Sequence, residues 1–357
     1  MHNKVGWIVG DKFFNNKIKA LEQNNWKNEG IKFYYKNSEL SKYDFSKEPQ
    51  QDWHILLRNS CLKLREQGNY VALWLSGGGD SATILRAFAD NNIPLDEIVF
   101  YDRLYKIYDY WKIESAYTKK LINNYKNINP QCNIRILKID YDNAQDFYKK
   151  FKNDWIYQPH VNIRFSKNLR WHFIERDKNL RQSINSKKRI DIFGRDKPKL
   201  ISWDNKWWLT FFDSFEYDTY HAGFYHFYWD DLDILCKQAH MAARFFESQS
   251  NNPEEFCHKV QNNTPGPLYL EYSKAIGRYS PGDKFIAEGW EKGTQNPASL
   301  NYESANILKY SKQNDEQTYQ YYTDGFDYIK SKFDMGNQQE FIGNILGEKY
   351  FLRNISV

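Results

Sequence analysis

Cysteine is scarce in this chain and widely scattered: Cys61, Cys132, Cys236 and Cys257 among 357 residues. That spacing argues against a disulfide framework and suits a reducing cytoplasm. No Cys-x-x-Cys pair occurs, which removes a clustered-cysteine zinc site. No apolar run approaches the roughly 20 residues of a membrane span, so no membrane partner is expected. Met1-His2-Asn3-Lys4 leads into only a short apolar patch, which argues against a secretory signal. The chain also lacks a Gly-x-x-x-x-Gly-Lys-Ser/Thr loop, and no internal repeat is evident.

What is present describes a globular protein of one large domain or two ordinary ones, 41% hydrophobic and 27% charged. Aromatics reach 18%, with 27 tyrosines and 12 tryptophans. Core packing and AT-rich coding account for most of them, and base stacking by some stays open. Net charge is +5, unevenly placed. Between Arg164 and Lys199 twelve basic residues face four acidic ones, a local balance of +8. Such a window suits a polyanion: ATP, pyrophosphate or an RNA acceptor. A solvated charged segment explains it equally well.

Residues 1–50 read as a polar, irregular arm with short strands at Val5–Val9 and Ile31–Tyr35. Helical spacing of Trp53, Leu56, Leu57 and Leu64 opens a nucleotide-binding domain expected over residues 51–246. Strands follow at Val71–Leu75, Glu97–Tyr101 and Asn133–Ile139, alternating with helices at Thr83–Ala89, Tyr110–Tyr125 and Asp142–Phe151. With no tight hairpin among them, this order predicts an α/β fold: a parallel sheet with helices on both faces. Arg189–Phe193 continues the strands, and Lys199–Trp203 with Lys206–Phe212 reads as a hairpin about Asp204-Asn205. A helix is expected at Asp230–Phe246 and a loop at Glu247–Pro267. Residues 247–357 are expected as a mostly helical, mixed α+β extension, with helices at Ser304–Gln313 and Gln317–Lys332.

The most informative segment is Leu73-Trp74-Leu75-Ser76-Gly77-Gly78-Gly79-Asp80-Ser81-Ala82, a glycine turn between a strand and a helix start. Glycines let backbone N–H groups approach an anion, and a helix N-terminus adds unpaired donors and partial positive charge. Ser76 and Ser81 offer hydroxyls, and Asp80 can hold a divalent cation that bridges phosphates. The chemistry is that of a phosphate cradle. Its Ser-Gly-Gly-x-Asp-Ser pattern resembles the PP-loop of the N-type ATP pyrophosphatases, also called adenine nucleotide alpha-hydrolase-like proteins. Residues 52–90 resemble the synthetase domain of asparagine synthetases in particular. The blocks Arg189–Ile201, Lys206–Ser214 and Asp231–His240 resemble phage-encoded members of the group, which implies action in a host cytoplasm.

The resemblance implies ATP and Mg2+, held by Ser76, Gly77, Gly78, Gly79, Asp80 and Ser81, with Asp80 on the metal. It implies a carboxylate or carbonyl acceptor attacking the α-phosphate, with pyrophosphate leaving and a nitrogen nucleophile then displacing AMP. Asp102, past an apolar strand, is a second acidic candidate for metal, ribose or a bound nucleophile, or else an ordinary helix or turn residue. Arg195 and Lys197 follow a strand and Gly194, and either hold phosphates or belong to a polar turn. The short arm leaves no room for a glutaminase domain, so ammonia, if used, is either free or delivered by an ammonia-donating partner, and a sulfur-donating partner is the counterpart for sulfur chemistry. Cys132 is the candidate sulfur carrier if the enzyme is of the PAPS reductase or tRNA-thiolation type. A non-catalytic nucleotide-binding module is the remaining alternative. His221, His226 and His240 read as structural histidines.

Overall fold

In the computed structural model the described residues are 5–27, 29–66, 69–76, 78–103, 109–139, 141–158, 187–194, 199–213, 224–262, 267–278, 309–332 and 345–356. The arm is less irregular than its composition suggests. Strands β1 (Val5–Val9), β2 (Lys12–Phe14) and β3 (Ile31–Tyr35) form an antiparallel sheet in the order β2-β1-β3. A tight hairpin joins β1 to β2, with Gly10 at φ +60. Three residues are too few for β2 to show a period of two. Helix α1 (Lys17–Gln23) follows, capped by Asn16, whose side chain accepts from the Lys19 N–H at 2.9 Å. The single turn α2 (Asn37–Leu40) comes next.

The chain then runs through α3 (Trp53–Glu66), β4 (Tyr70–Leu75), α4 (Gly79–Asp90), β5 (Glu97–Arg103), α5 (Asp109–Ile128), β6 (Asn133–Ile139) and α6 (Tyr141–Phe151). After a 3-10 turn at Lys152–Tyr157 come β7 (Arg189–Phe193), β8 (Lys199–Trp203), β9 (Lys206–Phe212) and β10 (Phe224–His226). Five of these strands form one sheet in the order β10-β7-β4-β5-β6, with every described pairing parallel. The fold is therefore mixed α/β around a five-stranded parallel sheet. Strand β4 is buried from Val71 to Leu75, as a central parallel strand should be.

Strand order decides where a ligand could sit. From β4 the chain moves outward to β5 and β6, then returns to the other side of β4 with β7 and β10. The winding reverses between β4 and β7, and a crevice opens beyond the carboxyl ends of strands at such a point. One sheet face, with Leu73, Ile98 and Ile192, joins the main core with Leu56 and Leu64 of α3 and Ile84 and Phe88 of α4. The other carries a smaller apolar cluster of Trp74, Val99, Phe193 and Phe224.

Toward the strand starts that second face is ionic. Arg189 donates to both oxygens of Asp191, at 3.1 and 3.0 Å, and to Glu97 at 2.9 Å. Glu97 also accepts from Arg135 at 2.7 Å and from Tyr70 at 2.9 Å, and the Trp74 indole donates to Asp191 at 2.7 Å. The Arg189 side chain is only 2% exposed. It therefore does not belong to the polyanion-binding window in which its sequence position places it. Lys187 and Lys188 just before it are exposed, and the window from Arg164 to Ser186 lies outside the described residues.

The expected hairpin forms between β8 and β9, with Asp204 and Asn205 at φ +54 and +52, as a primed two-residue turn requires. The helix expected from Asp230 is broken. A turn α7 (Phe227–Asp230) precedes α8 (Leu232–Gln249), and Asp231 between them is extended, its carboxylate accepting from the Ile234 N–H at 3.2 Å. The loop expected at Glu247–Pro267 instead contains α9 (Pro253–Asn262). Asn252 accepts from the Glu255 N–H at 3.3 Å, so Asn-Pro-Glu-Glu is a helix start, not a breaker. The buried Cys257 and Val260 anchor that helix in the core. Helices α10 (Pro267–Ala275) and α11 (Glu316–Lys332) follow. Residues 309–314 are also helical, and the earlier part of the Ser304–Gln313 helix lies outside the described residues. Strand β11 (Leu346–Asn354) returns to pair antiparallel with β9, completing a sheet β11-β9-β8. Among the described residues no helix is long and apolar enough to cross a membrane.

The end of the arm is fastened along α8. Glu48 binds Lys237 at 2.9 Å and Arg244 at 3.0 Å, and the Cys236 thiol donates to Phe45 O at 3.5 Å. Burial pushes the Glu48 carboxyl up, but the bonds and charges of Arg244 and Lys237 outweigh it and hold it at about 2. A depressed carboxylate stabilises the fold above its unfolded value and loses that contribution as pH falls through the folded one. Glu48→Gln should therefore flatten stability against pH between about 4.5 and 2, as read by urea midpoints; an unaltered slope would refute the tie. Arg189→Ala should cost about 3–5 kcal/mol, since it leaves Asp191 buried without its cation and Glu97 with Arg135 alone. An unchanged urea midpoint would contradict that ionic layer.

Candidate functional site

The turn between β4 and α4 stands at the point where the winding reverses. Its internal bonds converge on Ser81, the third residue of α4. The Ser81 hydroxyl accepts from the Ser76 N–H at 3.2 Å, lies 3.1 Å from the Ser76 hydroxyl, and donates to Gly78 O at 3.2 Å. The Gly78 N–H donates to Ser76 Oγ at 3.3 Å. Thr83 Oγ1 donates to Gly79 O at 2.7 Å. The two serines thus brace the loop from inside.

Gly78 caps α4 with φ −74 and ψ 162, and no side chain fills the cap. Neither its conformation nor its packing requires glycine: an added Cβ would meet only Ser76 Oγ, at 3.4 Å. The space a side chain would take lies against the uncapped N-terminus of a twelve-residue helix. That is where a phosphate fits. Gly77 lies outside the described residues.

Gly194, directly after β7, has a stricter role. A Cβ there would stand 2.6 Å from the Ser81 amide nitrogen and 2.8 Å from the Asp80 carbonyl carbon. The exit of β7 therefore lies directly against the first turn of α4, and only glycine permits the approach. The residues that follow, Arg195 and Lys197, lie outside the described residues.

Asp80 points at a partner that spacing gave no means of finding. Its carboxylate forms an ion pair with Arg278, beyond the end of α10. Arg278 is itself buried, and its guanidinium donates to Ser273 Oγ at 3.3 Å. The backbone that presents it is locked. Gly277 is left-handed at φ +72, and its carbonyl accepts from the Trp53 indole at 2.9 Å. A Cβ on Gly277 would fall 2.2 Å from that indole nitrogen. Trp53 stacks on Tyr228 with ring centroids 6.5 Å apart, and the Tyr228 hydroxyl donates to Asp80 O at 3.0 Å. Burial, with the Asp80 charge adding to it, pushes the Tyr228 phenol up, so it stays a donor. Residues from α3, α7 and the α10 exit thus converge around Asp80: Arg278 on its carboxylate, Tyr228 on its carbonyl, and Trp53 behind both. A Gly-Arg pair after a helix was the only trace in the sequence.

Asp102 is a strand residue near the end of β5, not a helix or turn residue. It is buried and accepts from Ser115 at 3.0 Å and Lys119 at 2.8 Å, both on α5. These bonds tie α5 to the carboxyl end of the sheet. All four cysteines are free and buried. Cys132 precedes β6, at the end of the sheet opposite the turn, and burial pushes its thiol up to about 12. His226 is buried and stacks on Phe193 at 5.7 Å. His240 lies 3.0 Å from Phe45 O. Both are interior residues, and His221 lies outside the described ones. Among the described residues no group of three or more His, Cys, Asp or Glu could hold a metal by itself.

Gly194→Val should displace the first turn of α4 and destabilise the protein by about 1–3 kcal/mol, the range for overpacking. The Gly277→Ala change should do the same through Trp53 and add left-handed strain. Chemical denaturation measures both, and wild-type midpoints would contradict the close approaches. No protein-family model matches this chain, and no characterised protein matches it by sequence.

Proposed function

We propose that this chain is an ATP pyrophosphatase of the PP-loop type, which activates a carboxylate or carbonyl acceptor by adenylation. One observation carries the reading: the Ser76–Ser81 turn opens an uncapped helix at the reversal point of a parallel sheet, with Gly194 closing against it. Backbone N–H groups at the start of α4 would receive the pyrophosphate portion of ATP, and the serine pair would hold the loop in register. The acceptor oxygen attacks the α-phosphorus, the α–β bridging bond breaks, and pyrophosphate leaves. A nitrogen nucleophile then displaces AMP from the adenylated acceptor. Positioning and charge neutralisation are the protein's share.

Asp80 and Arg278 supply the two charges that MgATP needs. In the ion pair each satisfies the other. When MgATP enters, the carboxylate would turn to the cation and the guanidinium to the phosphates, an exchange that leaves neither charge alone. Magnesium, when bound, neutralises phosphate oxygens and steadies the leaving group. Arg278 is the cation at hand for the phosphates, the role that Arg195 and Lys197 suggest by sequence position. The buried thiols give no support to the sulfur-transfer alternative. The acceptor, small molecule or RNA, defines the reaction's name.

MgATP should raise the melting temperature, with about 2.7 kcal/mol of stabilisation at a hundredfold excess over Kd. Asp80→Ala should lose the magnesium-dependent part, and Arg278→Ala most of the whole. α-Labelled ATP with magnesium and a mixed metabolite and RNA extract should yield AMP and pyrophosphate. ADP and orthophosphate as the main products of pure protein, or a melting temperature indifferent to millimolar MgATP, would overturn the proposal.

A further inference from the structure

The sheet β11-β9-β8 has one face in the core and one in solvent, and the solvent face has an unusual composition. Inside, Leu200, Trp207, Leu209, Phe211 and Leu352 are buried. Outside, strand register places Ile201, Trp208 and Phe351 side by side across all three strands. Trp203 joins them from the end of β8, its ring centroid 5.9 Å from that of Trp208; Phe351 lies 5.6 Å from Trp208 on the other side. Trp203 is 58% exposed and Phe351 39%. Burying a tryptophan is among the largest favourable terms available to a chain. Here Trp203 is left mostly open, with the half-buried Trp208 beside it. The Trp208 indole donates to Trp203 O at 3.1 Å, which fixes one ring of the row.

The surroundings of this row are basic. Lys199 and Lys349 flank Thr210 in the next row, and Lys206 stands opposite Trp203. The Lys349 ammonium lies 4.5 Å from the Trp203 ring centroid, so its charge sits over the aromatic cluster. Across β8, β9, β11 and the turn, Lys199, Lys206, Lys349 and Arg353 outnumber Asp204 and Glu348. Asp204 pairs with Lys206 at 3.2 Å, and Arg353 pairs with Glu247 at 3.3 Å. That leaves Lys199 and Lys349 as the cations beside the rings.

We propose that this face binds single-stranded nucleic acid, with unpaired bases stacked on Trp203, Trp208 and Phe351 and phosphates met by Lys199 and Lys349. Sheets that display two or three aromatic side chains stack unpaired bases in this way. Aromatic faces accept any base, and lysines beside them track the backbone. The cations favour a polyanion over a neutral ligand that stacks on rings alone. The site shares no residue with the Ser76–Ser81 turn and does not depend on the nucleotide reading. It is also distinct from the Arg164–Lys199 window as a whole, because its recognition groups are aromatic.

The test is a titration of the full chain with a fluorescein-labelled twelve-nucleotide RNA of mixed sequence, over a range of salt. Binding should quench tryptophan fluorescence and weaken steeply with salt. Trp203→Ala and Phe351→Ala should each weaken it about tenfold, the scale of one lost base stack. Lys199→Gln and Lys349→Gln should each lower the salt slope by about 0.7, one phosphate on a single strand. The MgATP melting shift should stay at its wild-type value in all four, which separates this proposal from the nucleotide site. Three results would overturn it: no salt-dependent binding at low salt, equal affinity for a fully paired duplex, or wild-type affinity in the Trp203→Ala, Phe351→Ala double variant. Self-association abolished by that double variant would also overturn it, by assigning the face to a second copy.

Discussion

The contact between the exit of β7 and the first turn of α4 is the constraint on which the site depends. Parallel pairing of β4 with β7 brings the two strand ends level, Trp74 opposite Phe193. Gly194 then lets the backbones touch where any side chain would hold them apart. The helix start is pressed into the sheet edge, and the uncapped amides at its N-terminus face the crevice that the strand order creates. Without that closeness the Ser76–Ser81 turn would be an ordinary strand–helix connection.

Charge is handled in two ways in this fold. At the strand starts Arg189 is shared between Glu97 and Asp191 in a layer closed to solvent, a structural use of ions. At the strand ends Asp80 and Arg278 form a pair whose members come from opposite parts of the chain. The first group, of three residues, is also bonded by Tyr70, Trp74 and Arg135. The second is delivered on a glycine-dependent backbone and rests beside an open helix terminus, so a phosphate and a cation could exchange with it. The difference in surroundings separates a structural layer from a candidate site.

Aromatic residues divide in a similar manner. Trp155, Trp207 and Tyr228 are fully buried. Each spends its polar atom on a defined partner: Tyr321 O, Glu247 and Asp80 O respectively. Trp203 and Phe351 lie on the open face of a small sheet, 58% and 39% exposed, where burial accounts for them only in part. Abundant aromatics in the composition therefore have two different physical explanations in one molecule.

Local patterns determined much of the architecture. The run Val71–Leu75 is apolar enough to be a central strand, Ser-Gly-Gly-x-Asp-Ser marks a tight passage into a helix, and Asp204-Asn205 marks a hairpin. These features act over a few residues, so a few residues reveal them. Short or misleading signals failed for the same reason: β2 is too brief to show alternation, and Asn252-Pro253 reads as a breaker although it starts α9. Only tertiary structure decided that β7 lies beside β4, that Arg189 is interior, that β11 completes the sheet of β8 and β9, and that Arg278 meets Asp80. The last pair is separated by 198 positions. No periodicity spans such a distance, because the two residues are joined by the packing of Trp53, Tyr228 and Gly277 and by nothing along the chain.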